Sequence, residues 1–233
     1  MWAGLAATSS AATASASYAR SAAALPAAAI KVKATIPVGG SPIGVAVNPA
    51  TNTIYVADEA GPGLGAVSVI NGQTNTVTAT IPADFPQGIA MNPSINTIYA
   101  ASAEGVVWVI DGQTDTVVAS PFIGGDLVGV AVNPATNTIY VANQSGFSVP
   151  VMSGQDNTVT ATIPVGSDPF GIAANPATNT TYVTNSFDNT VSVISGQTNA
   201  VVATIPVGST PEGVAVNPNT NTTYVTNSES ATV

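Results

Sequence analysis

A chain of 233 residues, 45% hydrophobic but only 6% charged, can bury the core of one large all-β domain and must stay in water on Thr, Asn, Ser and Gln rather than on ion pairs. Its three basic residues, Arg20, Lys31 and Lys33, precede all twelve carboxylates, so a net charge of −9 excludes a nucleic-acid partner and disfavours an anionic membrane surface. With no Cys and no His there is no disulfide, no thiolate or imidazole base, and none of the usual zinc or haem ligands; no metal and no cofactor is expected.

Residues 1–29 hold fourteen Ala and five Ser and no capped apolar periodicity. They read as a linker or tail, as the remnant of a secretion signal with an Ala-x-Ala-like end near Ala27–Ala29, or as a marginal Ala-rich helix. No stretch of the chain is long and apolar enough for a membrane-spanning helix, so no membrane insertion is expected. Next, Lys31–Ile36 reads as a β-strand without a sheet of its own.

From there Asn-Pro-x-x-Asn-Thr-(Ile or Thr)-Tyr recurs at Asn48, Asn92, Asn133, Asn175 and Asn217, spaced 44, 41, 42 and 42 residues apart. A fixed period of this size marks a repeat architecture. In the fourth copy Phe170–Ala174, Thr180–Thr184, Thr190–Ile194 and Ala200–Ile205 read as four strands joined by Asn/Pro and Gly turns. One such antiparallel sheet cannot bury both faces; radial stacking of copies can. Gly44, Gly88, Gly129, Gly171 and Gly213, each followed two places later by Ala, suit strands that crowd together near an axis. The expected fold is an all-β propeller of four-stranded antiparallel blades with five copies, over residues 30–233. Its last blade is incomplete or closed by the N-terminal strand; a solenoid of stacked sheets is the alternative. Pro150 in a third strand and Pro121-Phe122 in a fourth predict local irregularity, greatest in the third blade.

Blade topology divides the loops. The Asn-Pro and Gly-Gln turns, uniform between copies, share one face and need only a structural explanation. The opposite face carries loops that differ, and function on a rigid scaffold concentrates in such loops. Candidate ligand-binding residues there are Asp58, Glu59, Asp84, Phe85, Asp126, Asp168, Phe170, Phe187, Asp188 and Glu212. Phe147, Glu104 and Glu229 lie on the same face, while Trp108 reads as a filler between blades. Acidic loops also serve solubility, and no Asp-x-Asp-x-Asp-Gly loop marks a calcium site.

Tyr182-Val183-Thr184-Asn185 and Tyr224-Val225-Thr226-Asn227, the second preceded by Gly213-Val214-Ala215-Val216-Asn217-Pro218, resemble the YVTN-family β-propeller repeat across residues 30–233. The resemblance implies a prokaryotic secreted or surface-layer-type protein. It does not imply an activity, and Tyr99-Ala100-Ala101-Ser102 departs from the pattern. The expected function is a non-catalytic, extracellular or cell-surface scaffold for a protein or glycan partner. An open seam would favour self-association. The alternatives are a sugar-binding propeller or a carboxylate-dependent, glycosidase-like hydrolase, which needs two carboxyl groups about 5–10 Å apart; Asp84, Asp126, Asp168 and Glu212 are the candidates for that pair.

Overall fold

The computed structural model describes residues 32–233 apart from residues 61, 62 and 64. The chain falls into two units, Met1–Thr35 and Ile36–Val233. The readings of residues 1–29 lie outside the described residues. Residues 32–38, read in part as a strand, have no strand assignment.

The second unit is all-β. Four strands form the first sheet: β1 (Pro42–Asn48), β2 (Thr53–Asp58), β3 (Ala66–Asn71) and β4 (Thr76–Pro82). The second contains β5 (Pro86–Asn92), β6 (Thr97–Ser102), β7 (Val107–Asp111) and β8 (Thr116–Ala119). The third contains β9 (Leu127–Asn133), β10 (Thr138–Asn143), β11 (Ser148–Ser153) and β12 (Val159–Pro164). The fourth contains β13 (Pro169–Asn175), β14 (Thr180–Asn185), β15 (Thr190–Ser195) and β16 (Ala200–Pro206). The last is two-stranded, β17 (Pro211–Asn217) with β18 (Thr222–Asn227). Pairing is antiparallel throughout, in chain order. Beyond β18 a single bridge joins Asn227 to Thr232.

The expected irregularities are small. Pro121 follows β8, which at four residues is the shortest strand. At Pro150 the third sheet loses pairing only toward β10, where the register jumps from Tyr140–Val151 to Asn143–Ser148. Toward β12, Pro150 still pairs with Thr162. The third sheet therefore keeps all four strands, and the shortest strand lies in the second. A proline removes one donor, and here the loss falls on one side of the ladder.

Sheets pack face to face. Tyr55, Ala57, Val67, Val69 and Ile81 of the first meet Ile89, Ile98, Ala100 and Ile110 of the second. Tyr99, Val107 and Val109 of the second meet Val130, Ile139, Val141 and Met152 of the third. Tyr140, Val149, Val151 and Ile163 of the third meet Val183 and Ile194 of the fourth. In the first three repeats the Tyr that closes the motif (Tyr55, Tyr99, Tyr140) is thus the side chain a sheet pushes into its successor.

The first strands of successive sheets approach most closely, and the glycines make this room. A Cβ on Gly88 would stand 2.7 Å from the Val128 carbonyl oxygen, and one on Gly129 would stand 2.6 Å from that of Phe170. All five first strands line one cavity of about 710 Å³.

The repeat motif also clamps neighbouring sheets. Asn48, Asn92, Asn133 and Asn175 each accept the N–H two residues on through Oδ1, forming an Asx turn. The amide Nδ2 of each donates to Oδ1 of the second motif Asn in the next repeat. These bonds are Asn48–Asn96 at 2.6 Å, Asn92–Asn137 and Asn133–Asn179 at 2.8 Å, and Asn175–Asn221 at 2.9 Å. The acceptor asparagines have φ of 50–52°, a left-handed conformation that Asn tolerates. In the first four repeats the backbone carbonyl of this second Asn (Asn52, Asn96, Asn137 or Asn179) receives the N–H of Gly72, Gly112, Gly154 or Gly196, in the turn before the fourth strand. The first Asn of each pair is buried, so its amide has its acceptor supplied by the next sheet.

Candidate functional site

The variable loops hang on a backbone frame that does not vary. Before each first strand the carbonyl of Ser41, Phe85, Asp126, Asp168 or Thr210 accepts the N–H of Glu59, Ala103, Gln144, Ser186 or Ser228, at 2.8–3.2 Å. Before the third strand of the four full sheets the carbonyl of Gly65, Gly105, Phe147 or Asn189 accepts the N–H of Ala83, Ile123, Val165 or Val207, at 2.7–3.1 Å. Gly105, Phe147 and Asn189 are left-handed, with φ of 79°, 46° and 55°. Side chains change from loop to loop while the peptide groups beneath them keep their bonds.

Phe147 is out of place on this frame. Gly and Asn suit a left-handed position; a bulky aromatic does not. Its ring gains little burial in exchange, being 53% exposed. Phe122 and Phe187 are exposed as well, at 75% and 78%. Phe85 is also left-handed, with φ 46°, but it is partly buried.

The structure separates the remaining candidates. Asp58 is buried, and its Oδ2 accepts the Ser68 hydroxyl at 2.6 Å. It occupies the place that Asn185 holds in the fourth sheet, where the amide donates to Thr190 and Ser192. Asp58 is therefore part of the interior polar frame. Glu59 accepts a long bond of 3.4 Å from Gln87. Asp84 Oδ1 accepts the Gly63 N–H, and its carbonyl accepts the Ser102 hydroxyl and the Trp108 indole N–H at 3.2 Å. Trp108, half-buried, packs against the core between the first two sheets. Asp188 Oδ2 accepts the Ser167 N–H. Asp126 has one carboxylate oxygen buried without a partner among the described residues, and burial pushes its carboxyl pKa up.

Of the four carboxylates named for a catalytic pair, only Glu212 lines the cavity shared by the first strands, beside Phe170. Asp168 lines another, of about 290 Å³, with Phe187, Ser186, Asn189 and Glu229. Sequence reading did not single out this Asp168–Glu229 proximity, because it depends on how the last two repeats pack. It also passed over Phe122 as a binding residue, since Pro121 beside it drew attention as a strand breaker. No cluster of three or more metal-ligating side chains occurs among the described residues.

No protein-family model matches the chain, and no curated protein matches it. A solved structure of a functionally unknown protein from Desulfotomaculum acetoxidans DSM 771 is similar in fold, with a TM-score of 0.72 at 16% sequence identity. The likeness covers 82% of this chain and 64% of that one, so the chain spans less than two thirds of that protein's length.

Proposed function

We propose that residues 36–233 form a β-propeller-type array serving as a non-catalytic scaffold of a secreted or cell-surface protein. Its variable-loop face would hold a protein or glycan partner. The convergence of first strands on one cavity supports the radial arrangement, and the YVTN-like repeats support an extracellular, surface-layer-type setting. The observation that carries the binding role is Phe147: an exposed aromatic held at a left-handed backbone position where sister loops have Gly105 and Asn189. Such strain costs roughly 1 kcal/mol or more and marks functional positions. The exposed rings of Phe122 and Phe187 extend this aromatic character over neighbouring loops.

The test compares the protein with Phe147→Gly on arrays of neutral and acidic oligosaccharides and of basic peptides. The variant should melt at a higher temperature and capture its array ligands less well. A variant that melts lower yet binds unchanged would show that the ring is packing. A second reading, sugar binding or glycoside hydrolysis, is favoured by the cavity that holds Asp168, Glu229 and Phe187 together. Release of reducing sugar from the bound oligosaccharides, lost in Glu229→Gln, would select the hydrolase.

A further inference from the structure

Among the variable loops, the cavity of about 290 Å³ has Asp168, Phe187 and Glu229 along its wall. Many of its backbone donors are spent inside the protein. The Ser186 N–H goes to the Asp168 carbonyl at 2.9 Å, and the Glu229 N–H to the Ser209 carbonyl at 3.3 Å. The Ser209 N–H goes to the Ser230 hydroxyl at 3.0 Å, and the Thr210 N–H to Asn189 Oδ1 at 2.8 Å. Even the Ser186 hydroxyl is committed, to the Pro211 carbonyl at 2.8 Å. No hydrogen bond or ion pair among the described residues engages the carboxylate of Asp168 or of Glu229. The last basic residue of the chain is Lys33, so residues 36–233 contain no cation to pair with them. Beside these two acceptors stands a ring that the fold does not bury, Phe187 at 78% exposure.

We infer that this cavity holds a guanidinium group, the side chain of an Arg on a basic partner protein, an assignment that rests on the variable loops being partner-binding loops. A neutral sugar asks for donors and acceptors together, and an anion asks for donors; here the strongest unmet groups are two anionic acceptors. A guanidinium carries five N–H donors and no acceptor, which suits them. It also stacks flat on an aromatic ring, as the strongly hydrated ammonium of Lys does less well. A metal ion fits poorly, because Phe187 supplies no ligand and no cluster of three or more ligating side chains occurs among the described residues. The volume lies at the low end of ligand cavities, about 300 Å³, and suits one side chain better than an oligosaccharide. In the second and third sheets the place of Phe187 is taken by Glu104 and Ser145, so one chain offers one such site.

The test titrates the isotopically labelled full chain with N-acetyl-arginine amide and follows the backbone amides by NMR. Saturable shifts should appear at Phe187, Asn189, Thr210 and Glu229. N-acetyl-citrulline amide, which keeps the planar shape and loses the charge, should bind about tenfold more weakly. Phe187→Ala and Glu229→Gln, both at exposed positions that the fold does not need, should each weaken arginine binding about fivefold. Asp156→Asn, at an exposed acid in the Gly-Gln turn of the third repeat, should leave it unchanged. Equal weakening by Asp156→Asn would reduce the effect to the general acidity of the chain and overturn the site. So would citrulline binding as well as arginine, or maltotriose shifting these amides where arginine does not. If the arginine titration fails while Phe147→Gly still loses its array ligands, the site falls and the partner-binding reading of the loops stands.

Discussion

At the residue scale, one acid that sequence reading assigned to a surface belongs to the interior. Asp58 looked like the first of a row of loop acids, yet it stands where Asn185 stands and accepts the hydroxyl that Asn185 would donate to. Nothing in its own neighbourhood in the sequence reveals this; only alignment to the buried position of a sister repeat does. Asp126 differs again, with a buried oxygen lacking a partner. Its folded-state pKa lies above its unfolded one, so protonation favours the fold. The stability it allows is full below the unfolded carboxyl pKa and declines as pH rises through the folded one. Asp126→Asn should therefore melt like the parent near pH 3 and higher than the parent near pH 7. Thermal denaturation followed by circular dichroism across that range checks it, and an equal difference at both pH values would remove the ionised carboxylate as the cause.

At the element scale the strands were readable because each repeat carries its own punctuation: Asn-Pro before the second strand, Gly before the fourth, Pro after it. Five copies of one pattern average out local ambiguity. The clamp was not readable. Two asparagines four residues apart look like a turn, and they do form one; that the first amide reaches into the next repeat appears only when sheets are packed. Asn133→Ala should cost about 2 kcal/mol, the scale for leaving a partner unpaired and losing an Asx turn together. A double-mutant cycle with Asn179→Ala should return a coupling of about 1 kcal/mol, whereas a cycle with Asn96→Ala, the acceptor of a different clamp, should return none. Urea denaturation gives both, and equal couplings would mean that the amides act only within their own turns.

At the scale of the whole molecule, charge contributes little to what holds the fold together. Lys33 is the one cation among the described residues, and it precedes every carboxylate. Added salt therefore has almost no attraction to screen and a surplus of acidic repulsion to relieve. Melting temperature should rise by a few degrees between low salt and about 1 M NaCl, where the screening length falls to about 3 Å. A fall would require ion pairing that the described residues do not contain. Function was the least legible level: the loops that differ between copies could be picked out, but the regular backbone bonding beneath them, and the misfit of Phe147 upon it, belong to the folded chain.

The direction of the Asn clamp carries a last consequence. Every donor lies earlier in the chain than its acceptor, and the second, third and fourth repeats each hold one of each. Repeats are therefore interchangeable in order but not in orientation, like carriages with a hook at one end and an eye at the other. A gene that duplicates, deletes or reorders whole repeats always yields couplings that match, so copy number is free to drift while the joint stays the same.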